Sequence, residues 1–178
     1  AVPIIYDNNI YSKYDFYDLK YSKEKKEFLY KKKKKQINQI PSGDFCVDAV
    51  NATTMLIKVD ALNKIGGWDK NIYVYLEDID ICLRLTLMGY NIIKIADAVA
   101  DHKGWSSHFD EIKSTMNISR IWHFTWSSLY FESKFCRKSI VIKKTFKIIT
   151  LSLVKNIFNL LLLRFNKFKI NNIKLSAC

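Results

Sequence analysis

Residues 66 to 102 read GGWDKNIYVYLEDIDICLRLTLMGYNIIKIADAVADH, and the way this stretch divides decides the fold. Ile79, Cys82, Leu83, Thr86 and Leu87 fall at i, i+3, i+4, i+7 and i+8, which is one face of an amphipathic helix. Gly89 stands where such a helix ends on a left-handed residue. The segment after it, residues 90 to 102, is strand material. On the other side, VDAVNATTMLIKV (residues 47 to 59) is rich in β-branched and apolar residues and reads as a buried strand centred on Thr53 to Lys58. Asp60 is placed to cap a short helix, DALNKIG, which stops at the Gly66–Gly67 pair. Strand, helix, turn, helix and strand within about fifty residues imply an α/β fold, a mixed sheet with flanking helices.

Three carboxylates, Glu77, Asp78 and Asp80, crowd the start of the longer helix. Carboxylates in a first turn complement the positive end of the helix dipole, so the cluster needs no function on that ground alone. Three features favour chemistry. Trp68, Tyr73 and Tyr75 precede the cluster and could wall a concave site. Glu77 and Asp78 are adjacent and diverge by about 100° on a helix, so one can enter a cleft while the other holds the turn. His102 ends the next strand, with Gly104 and Ser106 beside it, where its imidazole could converge on the same sheet edge. Asp80 reads as a helix-start charge and no more.

The flanks differ from this core. Residues 1 to 46 read as a connecting segment, partly irregular, with AVPIIY as a short strand. The run Lys31 to Lys35 reads as a solvated loop, because phosphate binding would bring more Arg and aromatics placed for stacking. Of 29 basic residues ten lie from Arg137 onward, where there is no acidic one; the first 136 residues hold 19 basic against 17 acidic. A near-neutral body therefore carries a strongly basic tail. Residues 111 to 178 read as aromatic and basic helices. Lys143, Lys147, Lys155 and Asn159 fall largely on one stripe opposite a long apolar face, which favours an interfacial helix over one packed on the body. Lys155 and Asn156 interrupt the run and disfavour a span. Cys46, Cys82, Cys136 and Cys178 show no metal-ligand spacing and read as reduced thiols.

Residues 47 to 107 resemble the C-terminal half of the catalytic domain of family-2 glycosyltransferases of the GT-A fold, in the manner of bacterial rhamnosyltransferase-like enzymes of surface polysaccharide assembly. The order carries the likeness: a V-x-x-x-x-M-L-I strand, a short helix, GG-W-D, then ED-x-D-x-x-x-R, G-Y and a His. The resemblance implies an inverting transfer from a dTDP- or UDP-sugar to a hydroxyl of a saccharide or lipid-linked acceptor. It makes Asp78 the general base and Glu77 its support, orienting the turn or touching the acceptor. It puts Trp68 and Asp69 in the acceptor-side loop, Asn51 and Ala52 beside the donor sugar, and His102 near a divalent metal, Mg2+ or Mn2+, and the diphosphate. Asn51 and Ala52 stand where the family often has Ser-Gly, a departure that bears on donor identity.

The resemblance divides the chain into residues 1–46, 47–110 and 111–178. It implies a partial GT-A fold followed by C-terminal amphipathic helices, with the nucleotide-binding half and its D-x-D motif expected before Ala1. The expected setting is cytoplasmic, peripheral at the inner face of the cell membrane, with an anionic membrane surface as a partner and no nucleic acid. The alternative is a non-catalytic membrane-associated remnant or assembly protein.

Overall fold

A computed structural model describes residues 2–7, 10–11, 16–32, 42–51, 54–101 and 113–178. Among them the chain is mixed α/β, with short strands and several helices, in two compact units. The first unit holds residues 1–22, 28–70 and 77–107; the second holds 23–27, 71–76 and 108–178.

In the first unit, β1 (Val2–Asp7), β2 (Ile10–Tyr11), β5 (Phe45–Val47) and β7 (Ile92–Asp101) form a four-stranded sheet in the order β2-β1-β7-β5. β1 runs parallel to β7, while β2 and β5 are antiparallel to their neighbours. The register breaks at Pro3, which faces Ile95, whereas Ile4 faces Val99. Proline cannot donate to a ladder, so it belongs at such a bulge. The Ala96 N–H, within the bulged part of β7, donates instead to Asp44 Oδ1 at 3.0 Å. A smaller sheet orders β4 (Glu27–Lys32), β3 (Phe16–Ser22) and β6 (Ala49–Val50). Asp48, between β5 and β6, ties the two sheets by accepting the Leu19 N–H on Oδ2 at 2.8 Å.

The strand expected from Thr53 to Lys58 does not form over Thr54–Lys58; the segment instead holds the short β5 and β6 further back. A strand needs a neighbour for its backbone groups, and among the described residues β5 takes the place beside β7. Met55, Leu56 and Ile57 instead line an apolar cavity of about 440 Å³ with Ala61, Leu85 and Ile92. Helix α1 (Val59–Lys64) follows, and Lys58, not Asp60, is its N-cap; Asp60 lies in the first turn, where it still complements the dipole.

Helix α2 (Glu77–Leu87) packs on β6 and β7 and buries Ile79, Cys82 and Leu83 of the face expected from periodicity, together with Ile81 and Leu85, while Thr86 of that face is exposed and Leu87 half-buried. Burial pushes the Cys82 thiol up to about 12, so it is an inert core residue. Both helices end as the glycines require. Gly67 and Gly66 donate to Leu62 O and Asn63 O, each at 3.0 Å, and Tyr90 and Gly89 donate to Leu85 O and Thr86 O, each at 3.0 Å. This double bond pattern needs a left-handed residue, and φ is +78° at Gly66 and +87° at Gly89. A Cβ on Gly89 would meet no atom within 4 Å. Gly89→Ala is therefore expected to cost about 1–2 kcal/mol from backbone strain alone, seen as a lower denaturant midpoint with an unchanged m-value.

Lys94 is fully buried on β7. Nothing in the alternation of that strand distinguishes it from a solvated lysine.

The second unit is helical: α3 (Lys113–Phe135), α4 (Lys138–Leu161) and α5 (Phe165–Ser176), with α5 packed on both others. Lys144 joins α4 to α3 by donating to Glu132 Oε1 at 2.7 Å and Ser128 Oγ at 2.8 Å. Ser127 fixes residues 71–76 by donating to Val74 O at 2.8 Å. Among the described residues no helix is long and apolar enough to cross a membrane.

Candidate active site

The start of α2 is built on strain. Tyr75 and Leu76, the two residues before it, both have φ of +68°. Consecutive bulky residues in the left-handed region cost about 1–2 kcal/mol each, a cost that persists only where the surroundings dictate the conformation. The helix then opens directly on Glu77 and Asp78 without a Ser, Thr or Asn cap. Asp78 supplies the missing acceptor: its Oδ1 takes the Ile79 N–H at 2.7 Å, one of the donors a helix start leaves unpaired. Asp78 is half-buried, and this bond fixes its carboxylate at the head of the helix.

Glu77 is in a different state. Its Oε2 is shielded from solvent and has no hydrogen-bond partner among the described residues. Loss of hydration raises its pKa above the ordinary 4.5, its own backbone N–H opposes that, and the Asp78 charge adds to it. Two adjacent carboxyls thus differ as the helix geometry allows: Asp78 takes the Ile79 N–H, while one oxygen of Glu77 is desolvated and unpaired among the described residues. The raised pKa makes protonated Glu77 the form the fold favours. Its contribution to stability is complete below pH 4.5 and is lost as pH rises through the raised value. Glu77→Gln is therefore expected to be more stable than the parent at pH 7, with the difference vanishing below pH 4.5 in paired thermal melts.

Asp80 is no solvated helix charge. It is fully buried, and its Oδ2 accepts Arg84 Nε at 2.7 Å while Arg84 Nη2 lies 2.7 Å from the same oxygen. Arg84 Nη1 goes on to donate to Ile65 O at 2.7 Å and Gly67 O at 2.8 Å. Those carbonyls belong to the turn that ends α1. One guanidinium therefore clamps the Gly66–Gly67 turn to the acidic helix and fixes where Trp68 and Asp69 leave it. The i, i+4 spacing of Asp80 and Arg84 was the signal for this pair; the reach of the arginine to a turn 17 residues away was not.

The remaining candidates fall as follows. Asn51 is half-buried just after β6, the strand against which α2 packs. Trp68 is half-exposed in the first unit. Tyr73 and Tyr75 belong to the second unit and pack there on α3, Tyr73 with its ring 5.3 Å from that of His123 and Tyr75 with its ring 5.9 Å from Phe124. Ala52 and His102 lie outside the described residues. Among those described, no three His, Cys, Asp or Glu side chains gather into a group that could hold a metal ion. The apolar cavity is lined by Leu85, about 10 Å along the α2 axis from Asp78.

Rhamnosyltransferase WbbL of Escherichia coli (strain K12) is 29% identical to the chain over 92 residues. The relationship is glycosyltransferase-like. The match takes in 52% of this chain and 33% of the relative, so the chain spans about a third of that protein's length. No protein-family model matches the chain, and no solved structure matches it.

Proposed function

We propose that the chain is the acceptor-side half of an inverting glycosyltransferase with a partial GT-A fold. Asp78 takes the proton of the acceptor hydroxyl as that oxygen attacks the anomeric carbon of a dTDP- or UDP-sugar. One C–O bond forms to the acceptor, the C–O bond to the diphosphate breaks on the opposite face, and the proton ends on Asp78. A carboxylate held by one backbone N–H is oriented before the acceptor arrives, which saves ordering at the moment of reaction. Glu77 steadies the turn or touches the acceptor, Trp68 and Asp69 contact the acceptor, and Asn51 lies on the donor side. The acceptor is a saccharide or a lipid-linked saccharide of the cell surface, met at the inner face of the membrane.

The observation that carries this reading is the Arg84 clamp. It joins GG-W-D to ED-x-D-x-x-x-R, two of the motifs whose order carries the likeness, and gives their spacing a physical purpose. The strained backbone at Tyr75 and Leu76 supports it, since such a cost is commonly retained beside functional groups. The test is transfer of labelled sugar from dTDP- and UDP-linked donors to lipid-linked saccharides by the complete gene product. Product that depends on Asp78 supports the proposal, and an equal yield without that carboxylate removes it.

A further inference from the structure

The C-terminal hairpin is built inside out. On α4 the buried residues are Ser152, Asn156 and Asn159, which recur at i, i+4 and i+7 and so share one helix face. That face meets α5, where Asn156 Nδ2 donates to Asn172 Oδ1 at 2.7 Å and Asn171 is buried as well. The sequence pattern grouped Asn159 with the lysines on a solvated stripe, and the structure corrects this: the polar amides form the seam between the helices. Outward, in the C-terminal half of α4 and the turn after it, stand Val154, Ile157, Phe158, Leu161 and Leu163, the last two 76% and 72% exposed. A helix that buries amides and exposes leucines is inverted relative to one on a water-facing surface.

Charge identifies what covers this face. No acidic residue lies between Arg137 and Cys178; Lys155, Arg164, Lys167 and Lys169 are exposed beside the apolar patch, and Lys143 and Lys147 are exposed nearer the start of α4. Lys143 and Lys147 lie on the outward side of α4, about 10 Å or more back along the axis from Val154. Cations therefore flank the apolar patch along the hairpin, as suits a helix pair lying at the headgroup boundary.

We infer that the outward apolar face of the α4–α5 hairpin lies in the interface of an anionic phospholipid bilayer, with the flanking basic residues on the lipid phosphates. This deepens the membrane setting of the proposed function but does not depend on sugar transfer. Each basic residue near such a surface is worth roughly fivefold in affinity.

The chain should sediment with phosphatidylcholine vesicles containing phosphatidylglycerol and much less with phosphatidylcholine alone, and added salt should release it. The double variant Leu161→Asp with Leu163→Asp should lower vesicle affinity by at least about tenfold while leaving the far-UV circular dichroism unchanged, because both side chains are exposed. Leu56→Asp, equally exposed in the other unit, should bind as the parent does. Absence of binding to anionic vesicles, or undiminished binding by the double variant, overturns the inference. So does self-association abolished by the same variant without vesicle binding, which would make a second copy the occupant. No donor or acceptor sugar enters the measurement, so its failure is separate from a failure of Asp78.

Discussion

Asp78→Asn is expected to lower sugar transfer by about 100- to 10,000-fold, the range a positioned general base supplies. The substitution keeps what Asp78 does for the fold, because an asparagine Oδ1 can still accept the Ile79 N–H that Asp78 Oδ1 holds at 2.7 Å. What it removes is the capacity to take a proton. The loss should therefore fall on kcat with little change in acceptor KM, and the unfolding midpoint should hold. Circular dichroism melts run beside the transfer assay check both. If Asp78→Asn retained transfer, Asp78 would be left as a helix cap only. Asp78→Ala gives a useful contrast, since it loses the cap as well and should add a stability cost of about 1 kcal/mol.

Breaking the clamp is expected to produce the largest stability loss in the first unit. Asp80 is fully buried and the Arg84 side chain is 17% exposed, so removal of the arginine leaves a desolvated carboxylate behind and removal of the carboxylate leaves a partly desolvated guanidinium. Such breaks cost about 3–5 kcal/mol, which for a chain of this size lowers the thermal midpoint by roughly 10 °C. Arg84→Met strands the Asp80 carboxylate and also frees the Ile65 and Gly67 carbonyls. Asp80→Leu strands the guanidinium. The double variant should be less damaged than the sum of the two, since it leaves no unpaired charge. Additive losses in that cycle would show that the pair is not coupled.

Transfer activity reports on the clamp separately. Arg84 fixes the exit of Trp68 and Asp69 from the α1 turn, so a clamp variant assayed well below its melting point should lose acceptor affinity before it loses fold.

Much of the first unit was legible because it depends on local rules. The apolar face of α2 followed from spacing at i, i+3 and i+4, and its end at Gly89 followed from the need for a left-handed residue. The turn at Gly66–Gly67 and the strand of residues 92–101 were read in the same way. The failures came where a local preference met no partner. Thr54 to Lys58 have strand composition, yet β5 occupies the place beside β7, and Met55 to Lys58 line a cavity instead. Asp80 looked like a surface charge because sequence shows its helix position but not the arginine's reach to another turn.

By itself the sequence determined the period of its helices, the glycine stops between them, the excess of positive charge in the tail and the motif order that resembles glycosyltransferases. Only the tertiary structure decided which polar groups leave water. It put Asp80 under Arg84, desolvated one oxygen of Glu77 and turned Asn156 and Asn159 inward with leucines outward. Periodicity fixes which side chains share a face. Whether that face meets protein or solvent depends on contacts between distant segments, and burial, the largest influence on a carboxylate or an amide, arises only when they pack.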